Sequence, residues 1–370
     1  MRILIDLRPL HYNFFSEETN WFITTSLDFF LKENPENEYF FLTGRPVSEK
    51  TLPILHTKKM IIKKSLPGRL GWMIWYDWQV PGLIKKMKAD ILITTGGITS
   101  SCNIPQCTWM PELAGKIKDS KTRSYFSFYK KRVHKTLQQA QTIFIFSAEN
   151  KKKMLLQYNI PADKLSVMYT APEPAYDPVG WTEKENVKIK YTGGREYFLA
   201  AGPAGKEDLI HLLKAFSQFK KRQQSNMQLV VAVKGISNDL EFIEKLENYK
   251  YRSDVFMCNH LAKGEMVKLV SSAYALIYPV NESGPGTLIL NAFKASVPVI
   301  TTNKACPREI TADAVLYAAT TDHESLAGHL MLLYKDESLR NQFIEKGKEQ
   351  VRLFSWQRTG MQLKNGILKM

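Results

Sequence analysis

The sequence contains few cysteines and no long hydrophobic segment. Its four cysteines form no C-x-x-C pair and have no histidines nearby at metal-ligand spacing, which argues against a disulfide framework and a zinc site. No apolar run approaches the roughly 18 residues that a membrane-spanning helix needs. The apolar stretch at residues 1–10 contains Asp6 and Arg8, which is not the pattern of a leader peptide. We expect a cytoplasmic protein with reduced thiols and without a bound metal or cofactor.

Low-complexity tracts and short repeats are also absent from the 370 residues. A content of 44% hydrophobic and 24% charged residues is that of a globular protein, so disordered and fibrous classes are excluded. The chain is longer than most single domains. We therefore expect two domains, each large enough to bury its own core.

Acidic residues are scarce in one third of the chain. Residues 50–153 contain 20 Lys and Arg against 5 Asp and Glu, whereas the rest of the chain has 31 of each sign. Such an excess favours an anionic partner, either a membrane surface or a phosphorylated ligand, although solvated helix faces would show the same excess. No nucleic-acid module is recognisable, so nucleic acid is not an expected partner. Within this region the aromatic run GWMIWYDW at 71–78 is either a buried core between helices or a membrane-facing segment.

Hydrophobic periodicity predicts short buried strands that alternate with amphipathic helices. This alternation indicates parallel, doubly wound sheets in an α/β protein. The pattern weakens where proline, glycine and charge mix, and we predict a linker at 176–195. Two such domains leave a cleft between them, and open sheets bind ligands at the carboxyl ends of their strands. The predicted strands are 3–7, 38–42, 90–94, 106–109, 142–146, 197–201, 228–233, 254–257, 274–279 and 314–317.

The segment NESGPGTLILNAFKASVPVI, residues 281–300, has the pattern of a phosphate-binding turn. Gly284 and Gly286 precede a predicted helix that begins near Thr287. Glycine allows backbone amides to approach a phosphate, and a helix N-terminus carries about half a positive charge. A simple turn between a strand and a helix is the alternative explanation of the two glycines.

Several segments of the second half form a recognisable series: YFLAAG at 197–202, QLVVAV at 228–233, the run at 274–301, PREITADAVLY at 307–317 and LRNQFIEKGKEQVRLFSW at 339–356. In order and spacing they resemble the donor domain of retaining GT-B glycosyltransferases of the mannosyltransferase and glycogen-synthase type, the bacterial glycosyl transferases group 1. The first half contains MRILIDLRPL, PENEYFFLTGRP, KKMKADILIT and PQCTWMPELA, through which it resembles the acceptor domain of the same family.

The resemblance implies a GT-B fold with two Rossmann-like domains that face a cleft. It assigns residues 1–175 to a basic acceptor-side domain, 176–195 to a linker and 196–353 to a nucleotide-sugar-side domain. Residues 354–370 form a final helix that crosses back to the first domain. The implied activity is transfer of a sugar from a nucleotide-diphosphate sugar to a glycan or lipid-linked acceptor, with retention and without an essential metal. The basic residues 50–153 would then contact an anionic membrane peripherally from the cytoplasmic side.

The family's active-site motifs are altered in this sequence. Its Glu-x(7)-Glu pair corresponds to Ser283 and Asn291, although Glu282 lies one residue before the first position, and its His-Asp dipeptide corresponds to Pro111 and Glu112. The basic diphosphate-binding segment has become GPAGKED at 202–208. There Lys206 keeps a positive charge, Glu207 replaces a lysine, and Gly202 stands where arginine is common. The glycine-rich first loop corresponds to Glu18, Thr19 and Asn20, and the Asn-Gly that ends the first domain corresponds to Thr170 and Ala171.

From these positions we predict a donor site together with two candidate catalytic acids, Glu112 and Glu282. The lost carboxylates leave open whether the protein catalyses transfer. The alternative is a catalytically degenerate GT-B protein that binds or scaffolds an active glycosyltransferase. The predicted donor-binding residues are Lys206, Ser283, Gly284, Gly286, Thr287 and Asn291.

Overall fold

The computed structural model describes residues 1–12, 17–44, 59–62, 66, 68–110, 120–259, 261–280, 284–319 and 321–368. The chain forms two compact units. Unit 1 comprises Met1–Thr170 and Trp356–Met370, and unit 2 comprises Ala171–Ser355. Within the described ranges, no helix combines the length and the hydropathy needed to cross a membrane.

Unit 1 is built on a parallel sheet, as the alternation of strands and helices predicts. Its described residues contribute seven strands in the order β3-β2-β1-β4-β5-β6-β7. The strands are nearly continuous apolar runs because both faces of a parallel sheet are covered. The strands are β1 Arg2–Asp6, β2 Glu38–Thr43, β3 Lys59–Ile62, β4 Ile91–Thr94, β5 Gln106–Trp109, β6 Thr142–Ile145 and β7 Leu165–Val167.

The strands of unit 1 are joined largely by helices, because parallel pairing requires crossover connections. α5 is capped by Ser147, whose side chain accepts a hydrogen bond from the Asn150 N–H at 3.0 Å. The helices are α1 Glu17–Glu33, α2 Gly68–Ile74, α3 Val80–Met87, α4 Ser120–Gln139 and α5 Ala148–Tyr158.

The aromatic run GWMIWYDW divides between the core and the surface of unit 1. Trp72, Trp75 and Tyr76 are at most 3% exposed, whereas Trp78 is 77% exposed. A π-helical turn that begins at Trp75 joins α2 to α3, and the Val80 N–H bonds to the Trp75 carbonyl across it. The extra residue of a π turn rotates the following helix. Val80 therefore reaches the same core cluster as the buried aromatic residues.

The last helix, α14 (Trp356–Leu368), belongs to unit 1 although unit 2 precedes it in the chain. The Trp356 ring is 5% exposed and stacks on Phe29 of α1 with 5.7 Å between ring centroids. Near the end of α14, Thr142 Oγ1 of β6 donates to the Gly366 carbonyl at 2.7 Å. The predicted final helix that returns to the first domain is therefore present.

Unit 2 contains a second parallel sheet, and its described residues form six strands in the order β10-β9-β8-β11-β12-β13. Its core is a continuous cluster between the sheet and helices α7 and α12. The strands are β8 Tyr197–Ala201, β9 Gln228–Ala232, β10 Val255–Met257, β11 Ala275–Tyr278, β12 Val299–Thr301 and β13 Val315–Tyr317. The helices are α6 Trp181–Thr192, α7 Lys206–Gln223, α8 Leu240–Glu247, α9 Lys263–Ser272, α10 Thr287–Lys294, α11 Arg308–Thr311, α12 His323–Lys335 and α13 Glu337–Val351.

The structure differs from the linker predicted at 176–195. Most of that segment is helix α6, and the division between the units falls after Thr170. The sequence gives little sign of this helix because its large apolar residues Trp181 and Ile189 are 76% and 65% exposed. A charged pair helps to hold it instead: Lys188 Nζ lies 2.6 Å from a Glu196 carboxylate oxygen just before β8. Hydrophobic periodicity cannot detect a helix that packs in this way.

Candidate functional site

The strand order of unit 2 creates a switch point at which a ligand can bind. β8 pairs with β9 on one side and with β11 on the other, so the chain leaves these strands in opposite directions. At such a point the loops separate and leave a crevice at the carboxyl ends of the strands. The chain after β8 leads to Lys206, and the chain after β11 leads to Gly284 and Gly286. Both predicted donor-binding segments therefore follow the two strands of the switch point.

Gly286 occupies a position that suits only glycine. Its φ is +78°, and an added Cβ would lie 2.9 Å from Cys306 Cβ, so a side chain is excluded by conformation and by packing. Gly284 is fixed by its N–H, which donates to the Ala305 carbonyl at 3.0 Å. The turn places the first residue of α10, Thr287, directly after Gly286. The positive end of the helix dipole therefore lies at the switch point.

Gly202, at the end of β8, is required by the Tyr278 ring. Its φ is +116°, and an added Cβ would lie 2.5 Å from Tyr278 Cε2. Tyr278 is 1% exposed, and its carbonyl accepts a hydrogen bond from Thr301 Oγ1 at 3.0 Å. The tyrosine ring therefore takes the space beside residue 202. This packing leaves no room for a side chain at position 202.

Lys206 is the first residue of α7 and forms an ion pair with Glu241. The side chains of the pair are 29% and 51% exposed. Hydrogen bonds from Lys206 and Lys245 lower the pKa of Glu241 to about 2, so this carboxylate stays ionised. Glu207 is exposed to solvent and avoids the desolvation cost that a carboxylate would carry inside the crevice. Lys206 is thus the cation at the start of α7, held by a partner that an anionic ligand could replace.

Asn291 is 2% exposed and bonds to the segment that follows unit 1 in the chain. Its Oδ1 accepts from the Glu173 N–H at 2.8 Å, and its Nδ2 donates to Glu173 Oε1 at 3.3 Å. The other oxygen of the Glu173 carboxylate pairs with Lys263 at the start of α9. The amide at position 291 is therefore engaged by the protein, and the carboxylate beside it comes from residue 173.

Lys294 attaches the same segment to α10 from one turn further along the helix. Its Nζ donates to the Pro174 carbonyl at 2.6 Å and lies 2.9 Å from Asp177 Oδ1. Together with the Asn291–Glu173 bonds, these contacts hold residues 173–177 against the helix that follows the glycine turn. We define this set of contacts as the connector clamp.

Replacing Asn291 with alanine should lower the free energy of unfolding by about 1–3 kcal/mol, because the partly buried Glu173 N–H and carboxylate lose hydrogen-bond partners. Urea denaturation followed by circular dichroism measures the change. Asn248→Ala is the matched control, since the exposed Asn248 amide donates only to the Glu244 carbonyl of its own helix. Equal stability of the two variants would show that the connector clamp does not contribute to folding.

Three of the predicted site residues lie outside the described residues: Ser283, Glu282 and Glu112. Their predicted roles stay predictions. Of the other five, Lys206 lies at the start of α7, Gly284, Gly286 and Thr287 lie at the start of α10, and Asn291 lies within α10.

Unit 1 has a switch point of its own between β1 and β4, and two buried charged residues lie at the carboxyl end of β1 there. Asp6 and Arg8 are 0% and 1% exposed. Asp6 accepts hydrogen bonds from the Arg8 N–H at 3.1 Å and from Trp75 Nε1 at 3.2 Å. The Arg8 guanidinium lies 3.6 Å and 4.5 Å from the ring centroids of Trp72 and Trp75.

Burial raises the pKa of Asp6 above its ordinary value, against the opposing effect of its hydrogen bonds and of the Arg8 charge. The cluster is enclosed by indole rings and by the end of β1. It therefore fixes α2 and the adjoining π turn to the carboxyl end of β1, which is the edge of the sheet where ligands bind in this class of fold.

Two parallel doubly wound units, with a helix dipole and a lysine at one switch point, define a GT-B type protein. The structure is similar along its whole length to solved GT-B glycosyltransferases, which confirms the predicted fold. The similarity to a glycosyltransferase from Rickettsia africae covers 100% of this chain and 98% of that protein, with 15% sequence identity and a TM-score of 0.75. The similarity to Anabaena Alr3699/HepE in complex with UDP covers 100% of both chains, with 11% sequence identity and a TM-score of 0.72.

Residues 182–350 match the family Glycosyl transferases group 1, so unit 2 contains a domain of the family that the sequence resembles. The chain is also 24% identical over 233 residues to O-antigen chain mannosyltransferase B of Escherichia coli. It is 25% identical over 201 residues to O-antigen chain mannosyltransferase RfbU of Salmonella typhimurium. These matches cover 62% and 54% of this chain and 61% and 52% of the two relatives. The predicted family is confirmed for residues 182–350, the part of the chain that the family model matches.

Two functional neighbours were missed by sequence reasoning. Glu173 and Glu241 contact predicted donor-site residues from positions far away in the chain, and neither lies in a recognisable motif. A local signal did exist for the Asp6–Arg8 pair, because two charged residues inside the apolar segment MRILIDLRPL must be paired if they are buried.

Proposed function

We propose that the protein transfers a sugar from a nucleotide-diphosphate sugar to a glycan or lipid-linked acceptor. The observation that carries the proposal is that Lys206 and the glycine turn at 284–286 follow β8 and β11, the two neighbouring strands of the switch point of unit 2, and that α10 begins directly after the turn. In glycosyl transfer the departing nucleotide diphosphate gains negative charge, and fixed dipoles and cations aimed at that charge lower the barrier. The same elements would bind the diphosphate in the ground state.

Each proposed residue has a separate task. Lys206 would exchange Glu241 for a phosphate oxygen, and the helix dipole that begins at Thr287 would face the same group. Gly286 keeps the turn free of side chains. Asn291 would act by positioning α10 through the connector clamp. Glu282, Ser283 and Glu112 remain proposed contacts to the transferred sugar, with the two acids as candidate catalytic groups.

The comparisons support a nucleotide-sugar donor and a glycan acceptor. Structures of the Anabaena neighbour are described in complex with UDP, with UDP and glucose, and with UDP-glucose. The two curated relatives are named as O-antigen mannosyltransferases. We therefore include mannose among the candidate donor sugars and a bacterial polysaccharide among the candidate acceptors.

A calorimetric titration with UDP, GDP, ADP and their sugar conjugates tests the proposal. Binding of one nucleotide class, followed by transfer of its labelled sugar to a glycan or lipid-linked acceptor, is the expected result. Binding without transfer would favour the catalytically degenerate scaffold that the sequence leaves open. No binding across the whole set would contradict the proposal.

The ion pair at Lys206 provides a directional test. Glu241→Gln should strengthen nucleoside-diphosphate binding about three- to tenfold, because it releases Lys206 from a competing carboxylate, and Lys206→Ala should weaken binding by about tenfold. Lys245→Ala is the matched control, since Lys245 bonds to the same Glu241 at 2.8 Å from one helical turn away. Weaker binding of Glu241→Gln would place Lys206 outside the diphosphate site.

We also propose that the protein contacts an anionic membrane through residues 50–153, where its excess of positive charge lies. The surface potential of an anionic leaflet attracts each nearby Lys or Arg by about 1 kcal/mol. Membrane contact would bring the enzyme to a lipid-linked acceptor. The described part of this region includes α2, α3 and α4 of unit 1.

A further inference from the structure

One side of the α2–α3 segment in unit 1 exposes large apolar side chains. Leu70, Met73 and Trp78 are 58%, 42% and 77% exposed. Leu70 and Met73 lie on α2 three residues apart, and Trp78 lies in the π turn that follows, so the three side chains belong to one continuous helical segment. The opposite side is the buried aromatic core. Neighbouring exposed apolar side chains of this size commonly mark an interaction surface.

The same helical segment also carries positive charge. Arg69 is exposed beside Leu70, and Lys85 and Lys86 are exposed on α3 beyond Trp78. We call Arg69, Leu70, Met73, Trp78, Lys85 and Lys86 the apolar–basic face. Its six members come from one continuous helical segment.

Helix α4 adds further cations next to this face. Arg132 of α4 forms an ion pair with Asp77, the residue before Trp78, which fixes the two helices side by side at that point. Lys130 and Lys131, just before Arg132, are exposed. The neighbourhood of Trp78 is therefore apolar at its centre and positive at its edges.

We propose that the apolar–basic face docks on an anionic phospholipid bilayer, with Trp78 at its point of deepest insertion. This inference rests on the membrane contact proposed above and assigns it to particular side chains. An indole ring favours the boundary between headgroups and acyl chains because it is apolar with one polar N–H. Lysine and arginine stems can lie along that boundary while their charges reach the lipid phosphates. Charge complementarity selects an anionic bilayer over a neutral partner or a second copy of this basic chain.

The π turn supports the proposed role of Trp78 because it allows buried and exposed large side chains within one short helical segment. A regular helix through this segment would rotate α3 and carry Val80 away from the core. The π turn instead keeps Trp75 and Val80 buried while Trp78 remains outside. The exposure of Trp78 is thus built into a well-packed element of unit 1.

Sedimentation of the full chain with vesicles tests the inference, using phosphatidylcholine alone and phosphatidylcholine mixed with phosphatidylglycerol in equal parts. The unmodified protein should bind the anionic vesicles and lose binding as salt rises. Trp78→Ser should weaken that binding about tenfold, because the largest inserted side chain is lost. Lys85→Gln with Lys86→Gln should weaken it roughly thirtyfold on anionic vesicles and leave neutral vesicles unaffected.

Matched substitutions elsewhere keep the test specific. Trp181→Ser replaces an indole of unit 2 that is 76% exposed, and Lys221→Gln with Arg222→Gln replaces an adjacent pair of exposed basic residues on α7 of unit 2. Both controls should retain full vesicle binding. Equal losses in the controls, no binding by the unmodified protein, or a dimer that Trp78→Ser dissociates while vesicle binding persists would each overturn the inference. Nucleotide titration of the same samples reports separately on the proposed transferase function.

Discussion

Replacing Gly286 with valine should lower the free energy of unfolding by about 2–5 kcal/mol, the sum of a left-handed backbone penalty and overpacking. The backbone φ is +78°, and the new Cβ would lie 2.9 Å from Cys306 Cβ. Because Cys306 Cβ is attached to backbone, the clash cannot be relieved by rotating a side chain. The turn before α10 must then shift, so nucleotide binding should also be lost. Chemical denaturation and calorimetric titration of the same variant measure the two effects.

Gly328→Val is the control for this substitution. Gly328 lies within α12, and an added Cβ there meets no atom within 4 Å. Its stability should change by no more than about 0.5 kcal/mol, because valine is at least as compatible with a helix as glycine. Adding Cys306→Gly to the Gly286 variant should recover part of the lost stability, since it removes the clashing atom. Nucleotide binding that survives Gly286→Val would show that the turn does not form the donor site.

Replacing Arg8 with alanine should destabilise unit 1 by about 3–5 kcal/mol, because buried Asp6 would lose the positive charge near it and the core would lose a large side chain. Asp6 is 0% exposed, and burial already raises its pKa. The guanidinium also fills the space between Trp72 and Trp75, at 3.6 Å and 4.5 Å from their ring centroids. Its removal leaves a gap in the core beside the buried Asp6. The shift of the urea midpoint, followed by tryptophan fluorescence, measures the loss.

Two further variants separate charge from shape at this position. Arg8→Lys keeps the charge without the planar stack between indoles, and it should recover only part of the lost stability. The double variant Asp6→Asn with Arg8→Met should be less destabilised than Arg8→Ala, because no uncompensated charge remains. A double variant as unstable as Arg8→Ala would show that the guanidinium contributes mainly by filling space.

Much of the fold could be predicted because the information is local. The buried strands of parallel sheets are continuous apolar runs, and the predicted strand at 106–109 coincides with β5 while the one at 197–201 coincides with β8. The glycine turn was recognisable because Gly286 meets a backbone requirement that few other residues satisfy. Helix α6 was missed because its apolar residues are exposed and a charged pair contributes to its packing.

The sequence by itself determined the family of residues 182–350, the two parallel sheets and the glycine turn before α10. Only the tertiary structure decided that Asn291 bonds to Glu173, a residue 118 positions away in the chain. It likewise decided that the Tyr278 ring excludes a side chain at Gly202, and that Trp78 is exposed while Trp75 is buried. The physical reason is that strand and turn signals depend on neighbouring residues, whereas these contacts depend on which distant elements the sheets bring together.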